Sequence, residues 1–350
     1  MDNSKIESSG ISKSSLSVPP LLLTAYRRLP SVTAILAALT ICVIFLALAG
    51  QNPVVAGQAL ATYVLSSGGF AESLAKTVPL IMAGLSVAVA FRAGFFNIGA
   101  EGQLLMGAVV AAGMGTKLSA PVPLVLLGGA LAGAAWALLA GLLKTRRGAP
   151  EIITTIMLNY IALQLVSFAV QGPLQENART QPQTDVLPIR AQLPTLLTEP
   201  LHVGLFIALA AAGACWWLLF RTERGFLLRA SGANPIAARA AGIKTESNIQ
   251  FAVALSGALA GLGGAMEVAG ATKQLGQGGF GYGYTAIAVA LLADLNPLGV
   301  LPAALLFGVL SAGGGAMERT ANVPAITVSV VIGVVILTVA ALRRLMPRTD

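Results

Sequence analysis

Runs of about twenty apolar residues, separated by gaps mostly too short to fold by themselves, constrain this chain more than any other feature. VTAILAALTICVIFLALAG (32–50) is the first, and comparable stretches recur as far as residue 342. At a rise of about 1.5 Å per residue, roughly 20 apolar residues match a hydrocarbon core of about 30 Å. Composition closes off the alternative. Only 10% of the residues are charged and 56% are hydrophobic, whereas a soluble domain carries about 25% charged residues. Too few charges remain to cover a water-facing surface, so the expected fold class is an all-α polytopic membrane protein.

Candidate spans are 32–50, 74–92, 98–118, 121–143, 152–171, 202–220, 249–269, 282–295, 297–315 and 323–342, which predicts about ten transmembrane helices. A cytoplasmic N-terminus sorts the basic residues between them. Inside fall Lys5, Lys13, Arg27 and Arg28, then Lys144, Arg146 and Arg147. Arg221, Arg224, Arg229, Arg239, Lys244, Arg343, Arg344 and Arg348 complete that side. Outside fall only Lys76, Lys117, Arg179, Arg190, Lys273 and Arg319. The bias follows the positive-inside rule and puts both N- and C-termini in the cytoplasm. It also accounts for the formal charge of +8 through topology, with membrane lipid as the surroundings and no nucleic acid as partner.

Residues 1–30, polar and Ser-rich, read as a disordered cytoplasmic lead, 31–342 as the transmembrane domain and 343–350 as a cytoplasmic tail. Ala47-Leu48-Ala49 resembles a signal-peptidase site. Its apolar run is longer than a signal core and some thirty residues precede it, so an uncleaved first span is expected. The external loop 171–200 is rich in Pro and Gln, long enough to serve as a docking surface or a passive lid. Small residues crowd GGALAGAAWALLAG (128–141), GALAGLGGAMEVAG (257–270) and GVLSAGGG (308–315). They predict helices whose backbones approach closely, since lipid supplies no hydrophobic drive between them. Cys42 and Cys215 lie inside apolar runs, which argues against a disulfide. His202 stands alone, without ligand spacing for a metal, and is expected at the membrane interface.

FRAGFFNIGAEGQ (91–103) places Arg92, Asn97, Glu101 and Gln103 between two lipid-compatible runs. Asn97 and Glu101 are four apart and share a helix face. An ionisable group at mid-membrane costs about 2.5 to 3.5 kcal/mol, so it must face the bundle interior, a wet path or a partner. Two roles follow: Glu101 pairs with Arg92, or it lines a solute path. The same reasoning selects Asn159 and Gln164 in IITTIMLNYIALQLV (152–166), giving Asn97, Glu101, Gln103, Asn159 and Gln164 as candidate path residues. Glu267 is also singled out, while Asp294 and Asn296 precede Pro297 and fit a cap and turn. Gly276, Gly278, Gly279, Gly281 and Gly283 should leave a helix poorly formed before the eighth span, as at broken helices that line cavities.

The inside loop 221–248 differs in kind. Asn234 suits a helix N-cap, Pro235 the first helical position and Gly242 a stop. The result is a helix of about two turns, stable only if something packs on it. No GxxxxGK[ST] occurs, nor any catalytic or metal constellation. No catalytic residues are assigned, no enzyme activity is expected, and any ATP hydrolysis belongs to another polypeptide.

FRAGFFNIGAEGQ, EIITTIMLNYIA (151–162), LRASGANPIAARAAGI (228–243) and GFGYGYTAIAVALLADLNPLGV (279–300) resemble the permease subunits of ABC importers. The likeness is to the nucleoside and simple-sugar branch of the family shared with ribose and branched-chain amino acid permeases, over about residues 30–342. The resemblance implies a bacterial inner-membrane permease working with a second homologous permease subunit. It further implies a cytoplasmic ABC ATPase that binds ATP and Mg, and an external solute-binding protein, commonly a lipoprotein. It places coupling to the ATPase on Gly232, Asn234, Pro235, Ala238, Arg239 and Gly242. Purine nucleosides, pyrimidine nucleosides and free sugars all fit. The competing expectation is an ion-coupled secondary transporter working without an ATPase, with Glu101 as its proton or cation site.

Overall fold

The computed structural model describes residues 40, 41, 43–48, 50–321, 330, 333 and 334. The expected lead 1–30, the tail 343–350 and most of the expected first and tenth spans lie outside the described residues.

All regular structure among the described residues is helical. After α1 (Pro53–Leu65) come α2 (Ser67–Arg92), α3 (Ala100–Thr116), α4 (Val122–Arg147) and α5 (Glu151–Gln171). Then follow α6 (Gly204–Arg221), α7 (Glu223–Ala233), α8 (Pro235–Ala240) and α9 (Thr245–Met266), which widens into a π-turn over Glu267–Thr272. Helices α10 (Tyr282–Leu292) and α11 (Pro297–Ala321) complete the described set. Helices α2, α4, α5, α6, α9 with its π-turn, and α11 are long and apolar enough to cross a membrane.

One expected span is corrected. The eighth, 282–295, is a helix of 11 residues; at about 1.5 Å per residue it covers only about half a hydrocarbon core. The third needs no such change: it is α3, Ala100–Thr116, entered through a turn at Gly94, in the left-handed region at φ 78°. Helix α1 was not foreseen. Asn52 starts it by accepting hydrogen bonds from Val54 N and Val55 N at 3.0 and 3.3 Å, ahead of Pro53 at the first position.

Helix α2 forms the centre, buried along nearly all its length, with α3, α9, α10 and α11 around it. Helices α4, α5 and α6 present exposed aliphatic faces, Leu127 and Leu131 on α4 and Ile153 and Phe168 on α5 among them, as expected of lipid-facing surfaces. One end of the bundle, the basic end, gathers the 93–97 turn, Lys144, α7, α8 and residues 294–296. The other, the loop end, carries residues 116–121, 172–203 and 273–277.

Glycine makes the α3–α4–α9 junction possible. A Cβ on Gly261 would stand 2.3 Å from Gly129 O, one on Gly133 2.3 Å from Gly257 O, and one on Gly107 2.1 Å from Gly261 O. These helices therefore meet backbone to backbone, the close approach expected from the small-residue runs. His202, at the loop end just ahead of α6, packs inside the protein. It is 1% exposed, wedged against Gly270, because the loop that carries it folds back over the π-turn. Gly261→Ala should lower the stability of the purified chain by about 1–3 kcal/mol, since backbone on backbone cannot relax. Gly213→Ala, with nothing within 4 Å of the new methyl, should leave it unchanged; thermal unfolding in detergent distinguishes the two.

Candidate functional site

The site begins where α2 ends. Past Arg92 the chain turns at Gly94, and residues 95–99 run without helix to the first turn of α3. Arg92 does not reach Glu101. Its Nε donates to Leu295 O at 3.2 Å, its Nη2 to Asp294 O at 2.9 Å, and its guanidinium lies 5.5 Å from the Phe220 ring centroid. The expected Arg92–Glu101 pairing is therefore absent, because the turn at Gly94 sends the two side chains to different depths.

Glu101 is 3% exposed and holds a different partner. Its carboxylate accepts from Gly281 N and from Gly283 N, each at 2.7 Å. These amides open α10, whose first turn has no partners within its own helix. The carboxylate also sits in the first turn of α3, where negative charge complements the helix dipole. Gly283 is required there: a Cβ would meet Glu101 N at 2.2 Å. Two short helices thus meet at their N-termini inside the bundle, clasped by one carboxylate. The ion-coupled expectation needs Glu101 as a binding group, whereas here it serves as a helix cap.

Below the clasp lies a polar web. Asn97 Nδ2 donates to Gln103 Oε1 at 3.0 Å and to Ser256 Oγ at 2.9 Å, and Gln103 Nε2 returns a bond to Asn97 Oδ1 at 3.0 Å. Ser256 Oγ donates to Ser86 O at 2.8 Å. From α5, Asn159 Nδ2 donates to Ile98 O at 2.9 Å while its Oδ1 accepts from Gly102 N at 2.8 Å. All three are buried: Asn97 and Gln103 satisfy each other and Asn159 bonds to backbone, tying α2, α3, α5 and α9 to the non-helical stretch.

Gln164 departs from this group. It is exposed on α5, on a face shared with Tyr160, 60% exposed. Tyr284, near the start of α10 and 50% exposed, stands close to Asn159 and Tyr160. Of the expected path residues, Asn97, Gln103 and Asn159 hold the non-helical stretch, Glu101 forms the clasp, and Gln164 lies on the outer surface of the chain.

At the basic end, Asn234 Oδ1 accepts from Ile236 N and Ala237 N, each at 3.1 Å, and Pro235 opens α8. Gly242 follows at φ 82°. The expected helix is present, six residues long. Ala238 is buried, Arg239 exposed, and Ile236 is 74% exposed. Gly232 packs on the 92–94 turn so closely that a Cβ would stand 2.2 Å from Arg92 O. Lys144 joins the same corner, donating to Gly94 O at 3.2 Å and to Glu151 Oε1 at 2.6 Å. A cleft of about 490 Å³ opens there, lined by Phe96, Lys144, Gly232, Pro235 and Arg239. At the following turn Asn296 Oδ1 accepts from Leu298 N at 3.1 Å, the cap expected ahead of Pro297.

Sequence reasoning passed over Ser86, Ser256, Gly281 and Gly283 as site members, and Ile236 as an exposed apolar group. Serines in helices and glycines in a glycine-rich run carry no local signal of partnership. Ile236 was legible: a large aliphatic residue just after a cap and a proline, on a loop full of charge.

A polytopic helical membrane protein with a buried polar web and a capped helix at its basic end is the class that fold and site define. The chain belongs to the permease family described as branched-chain amino acid transport system / permease component, which it matches over residues 69–340. It is 39% identical over 282 residues to the guanosine ABC transporter permease protein NupP of Bacillus subtilis, covering 77% of this chain and 80% of that one. It is 37% identical over 328 residues to the glucose ABC transporter permease protein TsgB13 of Haloferax volcanii, covering 87% and 85%. With the nucleoside ABC transporter permease protein NupB of Lactococcus lactis it shares 35% over 324 residues, covering 83% and 84%. No solved structure matches the chain.

If Glu101 and Arg92 are independent, the stability losses of Glu101→Ala and Arg92→Ala should add to within about 0.5 kcal/mol. Asn97→Ala and Gln103→Ala, which share two hydrogen bonds, should instead couple by about 1 kcal/mol or more. Double-mutant cycles in detergent check both expectations.

Proposed function

We propose that this chain is the membrane-spanning permease subunit of an ATP-driven importer in the bacterial cytoplasmic membrane, carrying a nucleoside or a simple sugar. The observation that carries the reading is the Asn234-capped helix α8 at the basic end, in a chain whose relatives are named as guanosine, glucose and nucleoside ABC transporter permeases. A helix of six residues is unstable alone, and its exposed Ile236 is suited to an apolar socket on a partner. That partner is a cytoplasmic ATPase holding ATP and Mg, gripping Gly232–Gly242. Both termini and loop 221–248 then face the cytoplasm, and the loop end faces outward toward a solute-binding lipoprotein.

The solute path runs along the face bearing Tyr160, Gln164 and Tyr284, closed by a second homologous permease subunit. Polar groups at membrane depth face a wet path or a partner rather than lipid. Tyrosine rings offer stacking faces to a nucleobase, and Gln164 offers an amide to sugar hydroxyls. Asn97, Glu101, Gln103 and Asn159 stand behind this face and hold it in shape.

Ile236→Asp should leave the chain in the membrane, abolish co-purification with the ATPase and reduce ATP-dependent uptake of radiolabelled guanosine about tenfold or more, as removal of a central apolar anchor does. Unchanged co-purification and uptake would contradict the assignment of α8 to coupling.

A further inference from the structure

The loop between α5 and α6 is held in shape by its own polar groups. Glu176 accepts from the Thr180 hydroxyl, from Gln183 Nε2 at 2.9 Å and from Gln181 N at 2.9 Å. These donors hold its carboxyl down at about 2. Asp185 accepts from Asn177 N and Nδ2 at 3.0 and 2.8 Å. His202 Nδ1 accepts from Gly204 N at 3.1 Å, and burial holds the imidazole at about 4.

Its middle runs beside residues 269–277. Gln277 N donates to Pro182 O at 3.0 Å, Thr184 N to Leu275 O at 2.9 Å, Leu187 N to Lys273 O at 2.8 Å and Leu193 N to Ala269 O at 2.8 Å. Thr184 holds Leu275 from both sides, because its hydroxyl also accepts from Leu275 N at 3.0 Å. It is fully buried. The paired stretch starts at the π-turn, a local widening often found at functional sites, and leads directly to Gly281 and Gly283, whose amides Glu101 holds. Only Gly278, Gly279 and Phe280 separate Gln277, the last residue bonded to the loop, from Gly281. Even fully extended, such a link spans only about 3.3–3.6 Å per residue, which keeps the loop and the start of α10 close together.

We infer that Thr184 is a positioning residue for translocation: by gripping Leu275 it lets the outer loop set where the start of α10, with Tyr284, stands in the solute path. This rests on the placement of Tyr284 on that path proposed above. A shift of the loop is passed along 275–283 to the Glu101 clasp, and the face bearing Tyr284 moves with it.

Hydrogen exchange read by mass spectrometry on the assembled transporter tests the link separately from transport. Thr184→Val keeps the shape of the side chain but leaves Leu275 N–H without its acceptor, whereas Thr184→Ser keeps the hydroxyl. Thr184→Val should speed exchange in the peptide spanning 278–285 on the order of tenfold and lower the maximal uptake rate severalfold, and Thr184→Ser should restore both. Faster exchange confined to 182–187 and 275–277, with 278–285 unchanged, overturns the link. Faster exchange at 278–285 with unchanged uptake overturns the role in translocation and removes Tyr284 from the path, while leaving coupling at α8 untouched. Should Thr184→Val fail to assemble, Gln274→Leu loosens the same strap by removing only the 3.1 Å bond to Gln183 Oε1, and is read by the same criteria.

Discussion

A carboxylate and two amides inside a membrane bundle each carry a desolvation cost that the others remove. Glu101 without donors would be a buried unpaired acid, and Gly281 N–H and Gly283 N–H without an acceptor would be orphaned helix-start donors. Together, at 2.7 Å each, they allow α10 to begin in mid-bundle instead of at a membrane surface. Everything distinctive about the chain depends on that junction. The 95–99 stretch can be non-helical because side chains satisfy its backbone: Asn97 Oδ1 accepts from Gly99 N at 2.9 Å and Asn159 Nδ2 donates to Ile98 O at 2.9 Å. The glycine-rich approach to α10 is partly exposed, with Gly279 and Gly281 on the surface of the chain, and the Glu101 carboxylate anchors its end.

Around this junction the fold uses two different cements. Where helices cross at glycine, as at Gly133 against Gly257 and Gly261, contact is backbone to backbone and dispersion holds it. Around residues 97–103, polar side chains of α2, α3, α5 and α9 bond to one another or to backbone. Both kinds of contact connect regions far apart in sequence: Gly232 beside Arg92 at the basic end, Asn97 with Ser256 in the web, Glu101 with Gly281 at the clasp and Thr184 with Leu275 under the outer loop.

Much of this was legible in the sequence. Apolar runs located α2, α4, α5, α6, α9 and α11, and Asn234-Pro235 with Gly242 located α8, since capping is a local code. The glycine-rich run correctly marked a broken helix. What escaped was partnership over distance. Glu101 next in depth to Arg92 looked like half an ion pair, and nothing near residue 101 announces an acceptor for amides 180 residues later. Asn159 and Gln164 looked alike as polar residues in one helix, yet five positions of rotation bury one and expose the other. The burial of His202 escaped because the loop that carries it has no regular pattern.

The measurement closest to the central claim is dipolar recoupling by solid-state NMR in lipid, between the labelled carboxyl carbon of Glu101 and the amide nitrogens of Gly281 and Gly283. Strong recoupling to both amides is the predicted result. Recoupling instead to the Arg92 guanidinium, with none to either glycine, would contradict the clasp and the architecture built on it.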